Sequence, residues 1–261
     1  MKNIKDVELF VFDLDGTVYI GDDEIDGSFA AINELRKMGK RICFFTNNSS
    51  RMHTDYIARL NKLGLRTYSD EIYTSGQVTC EYILDNYRGA RVFLLGNERL
   101  KSEFELYGIE LVDENPDVCV IGFDTSLTYD RLYKFCGYVN SGLPYIATHP
   151  DFFCPAPGCP MPDIGSLIEA IRLTVNRTPD IIMGKPHKTA GERLAKKYNL
   201  PPKKIAMVGD RLYTDVAFGK NCGFCSILVL SGETTPDMLA KSKVKPDYAL
   251  DKVKDIIPLI Q

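Results

Sequence analysis

The sequence predicts an α/β fold, a parallel-sheet core with a second, smaller α/β domain inserted in the chain, and three observations carry that prediction. Apolar runs of strand length alternate with segments of helical periodicity from residue 9 to residue 230, the pattern of a parallel sheet covered by helices. Two of those runs lead straight into acids, at Asp13-Leu14-Asp15-Gly16-Thr17 and at Gly209-Asp210 through Asp215. In an open α/β sheet the carboxyl ends of the strands line the ligand crevice, so chemistry is expected at both places. The stretch between about 91 and 178 repeats the alternation with strands of its own and a long proline-rich segment, as an insertion would. Two domains are expected.

Taken in order, Leu9–Phe12 is four apolar residues, β-branched and aromatic among them, and reads as a strand buried on both faces. Residues at i and i+2 of a strand share a face and Gly16 permits a bend directly afterwards, so Asp13 and Asp15 are expected around one point. Residues 27–38 carry Phe29, Ile32 and Leu35 at helical spacing, with Ser28 as a cap and Gly39 just past the end. A second strand over 41–45 runs into Thr46-Asn47-Asn48-Ser49-Ser50, which can offer hydroxyls, amides and backbone N–H groups to an anion. A helix over 54–62, a short strand at 72–75 and a helix over 76–86 follow.

In the inserted stretch, strands are expected at Val92–Leu95, Val118–Ile121 and Tyr145–Ala147, and helices at 99–107, Tyr129–Asn140 and 165–175. Between the last strand and the last helix lies 149–163, with five prolines, Cys154 and Cys159, and paired Phe152-Phe153. So long an irregular segment inside a compact domain points to function, and aromatics beside rigid prolines suit a substrate-facing loop. The last third places Lys185 between Gly184 and Pro186 after an apolar run, then a helix over 189–198 and strands over 204–208 and 226–230. The second of those strands closes in Ser231-Gly232-Glu233-Thr234-Thr235.

Composition sets limits on function. Hydrophobic residues make up 44% of the chain, enough for a sizeable core, and a formal charge of -3 with pI near 5.7 offers no basic field for nucleic acid. No apolar run approaches the roughly 20 residues that span a bilayer, and the first eight residues are too polar for a signal peptide, so a cytoplasmic protein without membrane partners is expected. The cysteines sit mostly singly in apolar segments, as small buried hydrophobes and reduced thiols do. Cys222 and Cys225 have CxxC spacing, yet no second pair and no neighbouring histidine completes a tetrahedral metal set.

Four clusters at predicted strand ends remain: acids, a hydroxyl and amide loop, a lysine, and acids again. In that order and with the DxDGT spelling, the chain resembles the haloacid dehalogenase (HAD) superfamily of phosphohydrolases, whose four motifs match Asp13 through Thr17, Thr46, Lys185, and Gly209-Asp210 through Asp215. The resemblance covers essentially the whole chain. The insertion between the second and third motifs is similar to the large αβ cap of the NagD-like, para-nitrophenylphosphatase and pyridoxal-phosphatase branch, and Phe45-Thr46-Asn47-Asn48-Ser49, Gly165-Ser166-Leu167 and Gly184-Lys185-Pro186 strengthen that likeness. It implies a Rossmann-like catalytic core, discontinuous over 1–88 and 179–261, with a cap inserted over 89–178, and a Mg²⁺-dependent phosphatase acting on small phosphate monoesters such as sugar phosphates or nucleotides.

The resemblance also implies roles. Asp13 is the nucleophile that forms an aspartyl-phosphate, and Asp15 is the acid and then the base; dehalogenases of the family lack an acid at that position. Thr46, Asn47, Asn48 and Lys185 hold phosphoryl oxygens. Asp13, Asp210 and the backbone carbonyl of Asp15 hold Mg²⁺, and Asp215 orients Lys185 or a water on the ion. The pyridoxal-phosphatase type has a histidine before a proline in the cap loop where this chain has Cys154-Pro155, which disfavours a vitamin-B6 phosphate. Related caps sometimes pair, so a homodimer is an open expectation. Two other classes share part of the pattern, a receiver-like phospho-aspartate signalling module and a non-catalytic binding protein on the same fold. The acid at i+2 and the inserted segment count against the first, and the presence of every catalytic position against the second.

Overall fold

The computed structural model describes residues 2–156 and 158–261, so Pro157, one of the five prolines of the 149–163 segment, lies outside the described residues. Packing divides the chain into two units. The first comprises residues 1–46 (Met1–Thr46), Tyr56–Tyr73 and Lys185–Gln261, and the second Asn47–Asp55 and Thr74–Gly184.

The first unit is built on a six-stranded sheet in the order Tyr248–Leu250, Cys225–Val229, Ile205–Gly209, Leu9–Phe12, Arg41–Thr46, Ile72–Thr74. The first strand of the chain therefore sits in the middle, flanked on one side by the next two strands and on the other by the last three. That is the doubly wound order, and it puts the switch point between Leu9–Phe12 and Ile205–Gly209, the crevice where such sheets bind ligands. The two strands run parallel, with Phe12 opposite Val208. Both are buried along their whole length, which is why they read as continuous apolar runs rather than alternating ones. Aromatic side chains fill the layer beside them, Phe10 on Phe12 and Phe12 on Phe44 at 6.3 and 6.2 Å between ring centres.

The first helix runs Ser28–Lys37 with Gly27 in the left-handed conformation before it and Gly39 after it. Ser28 does not cap it. Its hydroxyl bonds the carbonyl of Val18 at 2.7 Å, and the helix N-terminus is satisfied instead by Glu24, which accepts from the Phe29 N–H at 2.8 Å. Glu24 belongs to a small antiparallel pair, Tyr19–Ile20 with Asp23–Glu24, turned at Gly21-Asp22.

The second unit carries a four-stranded parallel sheet in the order Ile181–Ile182, Tyr145–Ala147, Val118–Ile121, Val92–Leu95. The insertion expected over 89–178 lies within it. The unit also takes in the helix Ser75–Asn86, whose N-terminus is closed by a reciprocal cap between Thr74 and Gln77, and the segment 47–55, which is tied to it by side-chain bonds. The Asn97 amide donates to the Ser50 carbonyl at 3.0 Å, and Glu103, almost fully buried, accepts from the His53 backbone N–H at 2.9 Å while lying 2.8 Å from His53 Nδ1. Its core is Phe93, Ile121, Phe135, Tyr145, Ile164 and Ile171 with their neighbours. Among the described residues no helix is long and apolar enough to cross a membrane, and no disulfide joins Cys154 to Cys159.

Candidate active site

The carboxyl ends of the two central strands deliver Asp13 and Asp210 to one place. Asp13 follows Phe12 and its N–H is held by the Val208 carbonyl at 2.9 Å; Asp210 follows Gly209 on the neighbouring strand. Asp215 joins them because the chain after Asp210 makes a wide turn, closed by an i→i+5 bond from the Val216 N–H to the Arg211 carbonyl at 3.1 Å. The turn folds Asp215 back against Gly209, where its Oδ2 accepts the Arg211 N–H at 3.1 Å. Carboxylate oxygens of Asp13, Asp210 and Asp215 lie within 4.8 Å of one another.

Lys185 closes the group. Its ammonium donates to Asp13 Oδ1 at 2.6 Å and to the Phe45 carbonyl at 3.1 Å, and it pairs ionically with Asp215 Oδ1 at 2.8 Å. The ammonium also stands 5.5 Å from the Phe45 ring centre. Lys185 and Asp215 are each 1% exposed, whereas Asp13 is 17% exposed. Burial alone would lower the pKa of Lys185, but the charges and hydrogen bonds of Asp13 and Asp215 outweigh it and hold the ammonium above its ordinary range. Asp210 is also pushed upward: burial raises its carboxyl pKa, and the like charges of Asp13 and Asp215 raise it further. Burial raises Asp215 as well, against the opposing pull of Lys185.

Three largely buried carboxylates facing one ammonium leave an excess of negative charge that low-dielectric surroundings tolerate poorly. A hard divalent cation, which takes oxygen ligands, is the chemical species such a donor set fits. After burial, the like charges of Asp13 and Asp215 add to the upward pressure on Asp210.

The supports of Asp210 come from far along the chain. Its Oδ2 accepts the Glu233 N–H at 2.7 Å and its Oδ1 lies 3.4 Å from the Thr17 hydroxyl, while Ser231 Oγ donates to the Gly16 carbonyl at 2.8 Å. Neither Gly16 nor Gly232 could carry a side chain: a Cβ would stand 2.5 Å and 2.1 Å respectively from Asp210 Oδ2, and Gly16 also has φ +82°. We therefore expect Gly232→Ala to displace the Asp210 carboxylate and cut kcat/KM by about 10²-fold, the order of loss for an ångström-scale misplacement of a reacting group. Thermal melts recorded beside the kinetics separate this from simple unfolding.

Of the other residues singled out by sequence, Asp15 is exposed at the bend, bridged to Tyr19, and its carboxylate is not one of the clustered three. Thr46 is buried at the end of its strand. Asn47 and Asn48 fall in the second unit. There the Asn47 amide donates to both carboxylate oxygens of Asp151 at 3.2 Å, and Asn48 Oδ1 accepts from the Ser50 N–H at 2.9 Å and the Ser50 hydroxyl at 2.7 Å, a local turn. Sequence reasoning passed over Thr17 as a support for Asp210, and over Gly232 and Glu233. The polar Ser231-Gly232-Glu233 sequence directly after a buried strand was the available signal.

Comparison with known proteins agrees with this arrangement. The profile of the haloacid dehalogenase-like hydrolases matches residues 10–110, and a second, HAD-hydrolase-like profile matches residues 182–256. The chain is 30% identical to a glycerol-3-phosphate phosphatase of Homo sapiens, over 99% of this chain and 92% of that one. It is 31% identical to an acid sugar phosphatase of Staphylococcus saprophyticus, over 98% of each. The crystal structure of a 4-nitrophenylphosphatase from Thermotoga maritima superimposes with a TM-score of 0.97 at 44% identity, covering 100% of both chains. A strand-borne acid trio with its buried lysine, on a doubly wound sheet interrupted by an α/β insertion, thus has the company its sequence implied: the chain belongs to the haloacid dehalogenase-like hydrolases and is a phosphatase of their NagD-like branch.

Proposed function

We propose that this protein hydrolyses small phosphate monoesters, sugar phosphates, nucleotides or similar, with Mg²⁺ and through an aspartyl-phosphate on Asp13. The observation that carries the reading is Lys185, one buried ammonium ion-paired with both Asp13 and Asp215 beside Asp210. Asp13 is the member of the trio that keeps an exposed face, as a nucleophile must. One Asp13 oxygen attacks phosphorus while the ester P–O bond breaks, its electron pair going to the leaving oxygen, which takes a proton from Asp15. Asp15 then removes a proton from water. The resulting attack on the phospho-aspartate frees Asp13 and inorganic phosphate.

Lys185 lowers the repulsion between Asp13 and the incoming phosphoryl group, and Thr46 holds a phosphoryl oxygen. Asn47 and Asn48 complete that binding set. Asp13, Asp210 and the backbone carbonyl of Asp15 would hold the ion, with Asp215 orienting Lys185; when bound, Mg²⁺ supplies charge neutralisation for the transferring phosphoryl group. The inserted domain, 89–178, selects the leaving group. Purified protein assayed with para-nitrophenyl phosphate is expected to turn over with Mg²⁺, to stop with excess EDTA, and to recover when Mg²⁺ is restored. Undiminished turnover in EDTA would sink the metal assignment, and no turnover of any small ester would sink the reading as a whole.

A further inference from the structure

Asp15, to which the proposed reaction gives proton transfer, is exposed on a bend, and an exposed carboxyl keeps its aim on a leaving oxygen only as well as its backbone is held. Tyr19 closes that bend. Its carbonyl accepts the Gly16 N–H at 2.8 Å, the Val18 and Tyr19 N–H groups reach the Leu14 carbonyl at 2.8 and 3.3 Å, and an isolated bridge pairs Asp15 with Tyr19. Tyr19 is 1% exposed, and the Asp15 backbone goes where it goes.

Beyond Tyr19 the chain forms the hairpin Tyr19–Ile20 with Asp23–Glu24, two residues to a strand, and residues 20–24 are all exposed. A hairpin so short does not stand in water by itself. Its base is tied to the helix Ser28–Lys37, where Ser28 donates to the Val18 carbonyl and Glu24 accepts the Phe29 N–H. Its turn is held by Arg59, from the helix His53–Leu63. Arg59, Asp15 and the whole hairpin belong to the first unit.

The Arg59 guanidinium meets the hairpin in three ways. Its Nη2 donates to the Gly21 carbonyl at 2.5 Å and lies 3.5 Å from Asp22 Oδ1, and its Cζ stands 4.7 Å from the centre of the Tyr19 ring, within cation–π reach. The ion pair contributes little, because Asp22 is 83% exposed and water screens such a pair. The hold therefore comes from the carbonyl bond and from the flat guanidinium over Tyr19. Arg59 Nε is buried and has no hydrogen-bond partner among the described residues, which costs stability, so stability alone does not account for an arginine here. Burial and then the charge of Asp15 raise the Tyr19 pKa while the charge of Arg59 lowers it, which puts the phenol in the field of both groups.

We propose that Arg59 is a positioning residue for the general acid: by clasping Tyr19 and Gly21 it fixes the 14–19 bend, and with it the aim of the Asp15 carboxyl on the leaving oxygen. The inference rests on the phosphatase reading, with Asp15 as its acid. As the ester P–O bond breaks, the Asp15 proton passes to the leaving oxygen, which carries the electron pair away. With the bend loosened that oxygen departs as the bare anion, so the loss grows as the anion becomes less stable.

The test compares kcat/KM, which reports the steps through departure of the leaving group, for para-nitrophenyl phosphate and phenyl phosphate. The two esters are close in shape, but nitrophenolate is a stable anion that leaves with little need of a proton and phenolate is not. Arg59→Met is expected to lower kcat/KM about tenfold for phenyl phosphate and less than about threefold for the nitrophenyl ester, and Asp15→Asn to show the same unequal losses more steeply. Hydrogen exchange at the Gly16 amide, bonded to the Tyr19 carbonyl, is expected to quicken about tenfold in Arg59→Met, while the Asp13 amide, bonded to the Val208 carbonyl, keeps its wild-type rate. Equal losses on the two esters, as partial unfolding or a poorer metal site would give, overturn the proposal, and so does an unchanged exchange rate at Gly16. Should Arg59→Met fail to fold, Arg59→Lys, which keeps a donor for Gly21 but no flat face for Tyr19, must show the same unequal losses, or the proposal falls. A wild type inert towards both esters overturns the phosphatase reading and this proposal with it, whereas faster exchange at Gly16 with an unchanged ratio between the esters overturns this proposal alone.

Discussion

Asp13→Asn is expected to abolish ester hydrolysis, lowering kcat by at least ~10⁴-fold, the scale seen when a covalent nucleophile is removed from an otherwise intact site. The substitution is nearly isosteric and the amide oxygen can still accept from Lys185, which donates to Asp13 Oδ1 at 2.6 Å. What disappears is the anionic oxygen that attacks phosphorus, and an amide is too weak a nucleophile to replace it. The fold should not suffer. Asp210 and Asp215 are both pushed upward in pKa partly by the charge of Asp13, so its removal relieves them. A melting temperature equal to or above that of the wild type, measured in EDTA, is therefore expected beside the lost activity. Turnover within tenfold of the wild type would exclude Asp13 as the nucleophile, whatever the melting curve shows.

That separation of roles reflects what the sequence could and could not disclose. Leu9–Phe12 and Ile205–Gly209 are buried on both faces, so they appear as unbroken apolar runs whose ends are easy to find, and the acids just beyond them are in plain sight. Lys185 was legible for a similar reason, as a single charge wedged between a glycine and a proline after apolar residues. The supports of Asp210 were not. Thr17 approaches it across 193 positions and Glu233 across 23, contacts that only the strand order creates.

Polar loops were the weaker ground. The composition of Thr46 through Ser50 announces hydrogen bonding but not its direction. Asn47 turns its amide to Asp151 and Asn48 closes a turn with Ser50. Ser28, by composition a natural cap, faces the carbonyl of Val18, and the capping is done by Glu24, five residues before the N–H it accepts. The strand Tyr248–Leu250 escaped notice because it is a sheet edge, only half-buried and short, with little apolar contrast to its surroundings.

Lys185→Met carries the second large expectation, and here activity and stability fall together. The ammonium is the sole cation bonded to both Asp13 and Asp215 among the described contacts, and methionine occupies comparable space without a charge. Breaking a buried ion pair from one side leaves an uncompensated charge, a loss of about 3–5 kcal/mol in stability. The transferring phosphoryl group would meanwhile lose a preorganised cation, costing on the order of 10²–10³-fold in kcat. The double variant Lys185→Met/Asp215→Asn distinguishes the two effects, because it removes one of the stranded carboxylates without returning the cation. It should recover much of the melting temperature and none of the activity. If the single variant melts with the wild type, the negative charge of this cluster is balanced by something other than Lys185. If the double variant regains turnover, the lysine's part is to hold the acids in place rather than to face the phosphoryl group.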